Sequence, residues 1–574
     1  MTDVNQQAAG QAAPAGAERA KVTHGGAHAV AAARQHGVTS MFTLSGGHVF
    51  PLYDGAVKAD PPMRLVDVRH EQTAVFAAEA TARLTRTPGF AVVTAGPGVT
   101  NAVSAITTAH FNSAPVVVLG GRAPDYRWGS GSLQEIDHPP LLVPVTKRAW
   151  TEHQAANVGA AVDEAFRLAS APHRGPVFLD IALEALFGDG GPELPARASG
   201  ATAPAPPEPG DVAVIARLLA DASRPVLVLG SDVWLGGAET AAAAAAAELR
   251  LPVIANGQGR GILPAGHELL VTRARSAAFA EADLVLVAGA PLDFRLGYGE
   301  FGGRDGRPPA RVVHVADGPE QIAAHGTLAA SAAGDLSSFF TMLASEVPAM
   351  LRTGLGRLPW ADSWLPQLAD ATAQAVAADQ ALLATDADPI HPMRVYGELA
   401  RVLDDDAVVI GDGGDFVSYA GKYIEPVRPG GWLDPGPYGC LGTGLGYAIA
   451  ARIARPAAQV VLLLGDGAAG FSLMDVDTLV RHGLPVVMIC GNNGIWALEK
   501  YPMRALYGYD VAADLQPGCR YDEVVRALGG AGETVTRPDG IAPALRRAFD
   551  SGVPYLVNVI TDPAVAYPRS TTGI

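Results

Sequence analysis

Nine short apolar runs, most of them closing on Gly, Asp or Asn and each leading into a helical stretch, constrain this chain more than any other feature. They are FAVVTAG (90–96), APVVVLGG (114–121) and GPVFLDI (175–181), then RPVLVLGS (224–231), LVLVAGA (284–290) and RVVHVAD (311–317), then DAVVIGDGG (406–414), QVVLLLGDG (459–467) and PVVMICGNN (485–493). A strand with one wet face alternates apolar and polar residues. These do not alternate, so both faces must be covered, as in a parallel sheet between two helical layers. Ligands of such sheets bind at the carboxyl ends of the strands, where these glycines cluster. The fold expected is α/β, three consecutive doubly wound parallel-sheet domains.

Length agrees: 574 residues at about 150 per domain give three to four domains. Residues 1–20 read as a disordered tail, 21–186 as the first domain and the Pro/Ala/Gly-rich 187–210 as a linker. A middle domain follows over 211–345, a helical connection over 346–390, a third domain over 391–564 and a short arm over 565–574. The Ala-rich 241–250 reads as an ordinary helix. Net charge is −16 and no basic cluster runs along the chain, so a nucleic-acid partner is disfavoured. No apolar run is long enough to predict a membrane span, and the N-terminus lacks signal-peptide order. Cys440, Cys490 and Cys519 have no metal or disulfide spacing, which suits a reducing cytoplasm.

The most informative segment is GDGAAGFSLMDVDTLVRHGLPVVMICGNN (465–493). A strand ends at Gly465, Asp466 follows in the turn, and a helix is expected from near Leu473. A second strand then delivers Asn492 and Asn493. In a right-handed strand–helix–strand unit both turns emerge at one sheet edge, so an aspartate and an asparagine oxygen can converge there. Hard oxygen ligands suit Mg²⁺, with diphosphate oxygens completing the shell, and the glycines Gly465 and Gly467 with Ala468 let backbone N–H groups approach those phosphates.

This spacing resembles the thiamine diphosphate (ThDP) motif of the acetolactate synthase-like superfamily. The resemblance implies Asp466, Asn493 and the carbonyl of Ile495 as metal ligands. RLVDVRHEQTAVF and the run to 121 resemble that family's pyrimidine-binding domain, which implies that Glu71 hydrogen-bonds the aminopyrimidine and so activates the thiazolium carbon. TAGPGVTN (94–101) and SLQEIDHPPLLVPVTK (132–147) are similar to loops facing the thiazolium, making Gln134 a pocket candidate. PYGCLGTGLGYAIAA (437–451) resembles the stretch whose apolar residue, here Leu441, bends the cofactor; the competing reading of Leu441 is simple core. GDGGDF, with Gly413, Gly414 and Asp415, looks like the diphosphate-side loop. The family places its cofactor between the first domain of one subunit and the third of another, which implies a homodimer or homotetramer.

Within the superfamily, NNGIW (492–496) is similar to the NNGIY that opens this segment in 2-hydroxyacyl-CoA lyases and oxalyl-CoA decarboxylase, with Trp496 at the tyrosine position. His48 in SGGHVF sits where the lyase group has a histidine, and Glu499 matches a second catalytic glutamate of pyruvate decarboxylase-like enzymes. A turn histidine and a helix-end Glu pairing Lys500 or Arg504 are the plainer readings. The resemblance implies a lyase cleaving a short 2-hydroxyacyl-CoA, of the 2-hydroxyisobutyryl-CoA type, to formyl-CoA and a ketone or aldehyde. The alternative is an acetolactate synthase-like 2-oxoacid decarboxylase/carboligase or an oxalyl-CoA decarboxylase. An ADP, or the ADP part of CoA, would then lie at Gly230–Asp232, Ala288–Ala290 or Ala316–Asp317 of the middle domain, and Arg569 and Ser570 of the arm could close over CoA.

Overall fold

A computed structural model describes residues 24–191, 204–303, 306–353, 358 and 360–568. The expected tail over 1–20 and the arm residues Arg569 and Ser570 lie outside them.

Three parallel sheets follow one another. The first contains β1 (Ser40–Thr43), β2 (Arg64–Asp67), β3 (Gly89–Val93), β4 (Val116–Arg122), β5 (Ala149–Glu152) and β6 (Val177–Ala182), in the order β2-β1-β3-β4-β6-β5. The second contains β7 (Pro225–Leu229), β8 (Val253–Ala255), β9 (Leu284–Ala288), β10 (Arg311–Ala316) and β11 (Ala330–Ala333), in the order β11-β10-β9-β7-β8. The third contains β12 (Val408–Asp412), β13 (Trp432–Leu433), β14 (Val460–Gly465), β15 (Val487–Asn492), β16 (Ala531–Val535) and β17 (Tyr555–Ile560), in the order β13-β12-β14-β15-β17-β16. Each of the nine apolar runs overlaps one of these strands. Central strands such as β4 are buried along their whole length, as uninterrupted apolar runs require.

The first and third domains share one core. Helix Glu71–Thr85 lies against helix Gly444–Ala454, where Gly446 permits contact: a Cβ there would stand 2.7 Å from Phe76 Cβ and 2.9 Å from the Thr73 carbonyl. Phe76 and Tyr447 meet edge to face at 6.0 Å. Arg83, fully buried, joins all three domains. Its guanidinium donates to Glu79 (3.1 Å), the Tyr447 hydroxyl (3.2 Å) and the Asp434 carbonyl (2.9 Å), while its own carbonyl accepts from Trp234 Nε1 (2.7 Å) and Gln258 Nε2 (3.1 Å).

Two expectations are corrected. The helix expected from near Leu473 begins at Asp466 and runs to Ser472, followed by a 3₁₀ turn and helix Val476–Arg481. Gly465 acts as the extended N-cap, and Gly467 and Gly470 lie within the helix. The middle domain also reaches beyond 345: helix Leu336–Thr353 crosses that point, and Trp360, Trp364, Leu365 and Leu368 of the connection belong to the middle core. The Ala-rich segment is helical over Glu239–Glu248. None of the described helices is long and apolar enough to cross a membrane.

Candidate active site

The third sheet carries the most chemistry at its carboxyl edge. The chain reverses direction across the sheet between β12 and β14, the crevice where doubly wound sheets bind ligands. A cavity of about 480 Å³ opens there, lined by Gly413, Gly414 and Asp415 after β12, Gly465–Ala468 after β14, and Asn493, Ile495, Trp496 and Glu499 after β15. Leu441 completes this wall. Every residue expected to bind the diphosphate or the metal therefore meets in one cavity.

Asp466 is buried. Its Oδ2 accepts from Gly494 N at 2.7 Å and its Oδ1 from Gly467 N at 3.0 Å. Desolvation pushes its carboxyl up to about 6 against the pull of these backbone donors. No ion pair reaches it among the described residues. Asn493 forms a local turn, its Oδ1 accepting from Ile495 N at 3.1 Å. Asn492 is a structural residue: its Nδ2 donates to the Cys519 carbonyl and Asn558 Oδ1. Two glycines clear the cradle. A Cβ on Gly467 would lie 2.4 Å from the Trp496 ring, and one on Gly413 1.9 Å from Leu441 Cδ2. Gly413 and Gly414 both hold positive φ, 58° and 82°, which turns the chain sharply into helix Gly414–Tyr423. A carboxylate, an amide oxygen and a glycine-lined recess form a hard-oxygen, phosphate-sized site, so these residues fit a Mg²⁺-bound diphosphate.

The other candidates gather at the carboxyl edge of the first sheet. Glu71 opens helix Glu71–Thr85 after β2, is nearly buried, and its Oε2 accepts from Asn101 Nδ2 at 3.0 Å. His48 Nδ1 lies 3.1 Å from Thr94 Oγ1, and Thr94 reaches Gln134 Oε1 at 3.5 Å. Gln134 has φ 61° and packs on Gly96, where a Cβ would come within 2.8 Å of it. Burial, with help from nearby His138, holds His48 below the usual imidazole range. None of Glu71, His48 and Gln134 lines the cavity of Asp466. Glu499 does, and it is exposed. The cations once considered as its partners are occupied elsewhere: Lys500 pairs Asp510 and Asp514, and Arg504 pairs Asp510.

Several participants were not singled out from sequence. Asn101 orients Glu71. Buried Asp412 accepts from Gly442 N and Gly444 N, both at 2.9 Å, and so pins the turn that carries Leu441. It ends β12 as Asp466 follows β14, a parallel that was visible in the sequence. His138 accepts the N–H of Gly96 at 2.9 Å while its other nitrogen meets Asp180 at 2.9 Å, fixing the loop beside Gln134. Arg260 and Arg295 enter the diphosphate-side cavity from the middle domain. No local pattern marks them.

At the middle sheet, Asp232 and Asp317 face His173 of the first domain. His173 Nδ1 meets Asp317 Oδ1 at 2.7 Å and its Nε2 meets Ser113 Oγ at 2.8 Å. The strand ends named as a nucleotide site thus form a contact between domains.

Comparison with known proteins agrees with the geometry. Models of the thiamine pyrophosphate enzyme family match along the chain: the N-terminal TPP binding domain over residues 23–141, the central domain over 212–343 and the C-terminal TPP binding domain over 412–559. A probable acetolactate synthase of Mycobacterium bovis is 50% identical over 557 residues, 96% of this chain and 98% of its own. Acetolactate synthase large subunit IlvG of Mycobacterium tuberculosis gives the same figures. The mouse 2-hydroxyacyl-CoA lyase 2 is 33% identical over 589 residues, 95% of this chain and 91% of its own. The chain belongs to the thiamine pyrophosphate enzyme family.

Proposed function

We propose that this protein is a ThDP- and Mg²⁺-dependent enzyme of acetolactate synthase type, which decarboxylates a 2-oxoacid and joins the remaining fragment to a second carbonyl. The observation that carries the reading is cationic. Arg260 and Arg295 line the same cavity as Asp466, Asn493 and Glu499, a setting for a small carboxylate. Arg275 stands behind them, pushed down to about 10 by burial and by Arg260 and Arg295. The 50% likeness to proteins named acetolactate synthase supports it further.

Asp466, Asn493 and the Ile495 carbonyl would hold Mg²⁺, and the glycines after β12 and β14 the diphosphate. When bound, the cofactor supplies an electron sink that stabilises negative charge beside a carbonyl carbon. Leu441 and Trp496 shape the recess. Glu71, oriented by Asn101, would hold a proton at the pyrimidine ring, and Glu499 would move one at a substrate oxygen. His48 and Gln134 would position the substrate. Glu71 and Asp466 sit on different sheet edges, and apolar side chains are exposed beside both: Leu133 (78%) next to Gln134, and Phe471 (52%) and Met474 (56%) after Asp466. These features support a site completed by a second copy of the chain.

A second reading is a 2-hydroxyacyl-CoA lyase releasing formyl-CoA, favoured by His48 beside Thr94, by Trp496 after Ile495, and by the 33% relatives of that name. In it, ADP or CoA would engage the middle domain. Mass spectrometry of the ThDP- and Mg²⁺-loaded protein offered pyruvate, oxalyl-CoA and several 2-hydroxyacyl-CoAs separates the two. Acetolactate and CO₂ from pyruvate support the first reading; formyl-CoA from the thioesters replaces it with the second.

A further inference from the structure

A cavity of about 600 Å³ lies between the first and middle domains, away from the carboxyl edge that carries His48, Glu71 and Gln134. Its first-domain wall comes from the amino ends of strands: Arg34 and His36 precede β1, Arg86 precedes β3, and Arg167, Ser170 and Arg174 precede β6. Leu235, Gly236 and Gly237 of the middle domain face them.

Four guanidiniums and an imidazole thus surround one space in a chain of net charge −16, and none of its lining residues is acidic. Residues far apart in sequence build this patch, which is why no basic run announces it. The acids that hold these cations stand outside the lining. Asp163 pairs His36 (2.9 Å) and Arg167 (3.1 Å), Glu239 pairs Arg86 (2.6 Å), and Asp317 stands 3.7 Å from Arg174. Among the described residues Arg34 donates to a carbonyl, that of Asp60, at 2.7 Å, and to no carboxylate. Two buried polar atoms of the lining, Arg86 Nε and Ser170 Oγ, have no hydrogen-bond partner among the described residues. Buried polar groups are rarely left so without a ligand or water to take them.

We propose that this cavity is an anion site separate from the catalytic edge, and that it takes a diphosphate-bearing ligand of nucleoside diphosphate size. Planar guanidiniums arranged around a recess match phosphate oxygens. The volume lies within the roughly 300–1,000 Å³ usual for small-molecule sites, far more than inorganic phosphate fills.

Calorimetry on the ThDP- and Mg²⁺-loaded enzyme tests this, with ADP and inorganic diphosphate as separate titrants at low and high salt. Loading the cofactor first occupies the other diphosphate site. The expected result is saturable binding that weakens with salt and falls about tenfold or more in the double variant R34S/R167S, with turnover unchanged. ADP binding much tighter than diphosphate would identify a nucleotide as the ligand; equal affinities would identify free diphosphate. Absence of binding by both anions overturns the proposal. So does ADP binding that ignores R34S/R167S and is lost in Asp317→Asn, which would place the nucleotide at the middle-sheet edge.

Discussion

The first and third sheets have the same strand order, counted within each domain as second, first, third, fourth, sixth, fifth. Their carboxyl edges nevertheless carry different side chains. The third edge is built from glycines and short oxygen-bearing residues: Gly413, Gly414, Gly465, Asp466, Gly467 and Asn493. Backbone N–H groups and compact ligands are what a diphosphate and its metal need. The first edge presents longer polar side chains, Glu71, His48 and Gln134, each steadied by a neighbour: Asn101 for Glu71, and Thr94 for the other two. Topology supplies the shelf, and the residues just past each strand decide its chemistry.

Four substitutions would break or sharpen that contrast. The largest effect is expected from Glu71→Gln, which should lower turnover by about 10²–10⁴-fold while leaving ThDP and Mg²⁺ affinity nearly unchanged. Stopped-flow kinetics beside cofactor calorimetry reads both, and lost cofactor affinity would mean that the edges do not divide the labour. Asp466→Ala should do the opposite, weakening cofactor–metal binding by about 100-fold or more, since even outer-shell partners of a metal are worth 10–100-fold. Rate losses that excess cofactor cannot offset would speak against its role as a ligand. Asn101→Ala removes the donor that orients Glu71 and should slow turnover by roughly tenfold, the scale of one charge-assisted hydrogen bond, with the melting temperature little changed. Gly413→Ala comes last, in thermal denaturation: forcing a Cβ at φ 58° against Leu441 should cost about 1–2 kcal/mol of stability. An unchanged melting curve and cofactor affinity would show that the recess tolerates a shifted Leu441.

Much of the fold was legible because its central strands are buried on both faces. Of the strands that the apolar runs did not reveal, β2, β5, β8, β11, β13 and β16 lie at sheet margins, while β1 and β17 are interior. A marginal strand covers less core, so it can be as short as Trp432–Leu433 or as plain as Ala-Ser-Ala-Ala (330–333). Interior β17 was masked differently, by buried Asn558, whose amide bonds the Cys519 carbonyl and Thr534. The third edge was readable because Gly-Asp-Gly and Asn-Asn carry their chemistry locally. Arg260 and Arg295 were not, because only the docking of the middle domain brings them into the cavity. The helix start at Asp466 was also missed, because Gly467 and Gly470 are helical there against their turn propensity.

Arg83 has a consequence for how the molecule comes apart. One guanidinium in the first domain holds Tyr447 and Asp434 of the third, while its own carbonyl receives Trp234 and Gln258 of the middle. A disturbance that loosens any one domain exposes the same buried charge to the other two. Heat or denaturant should therefore melt the chain in a single step, and limited proteolysis should yield whole protein or small fragments, not three surviving domains.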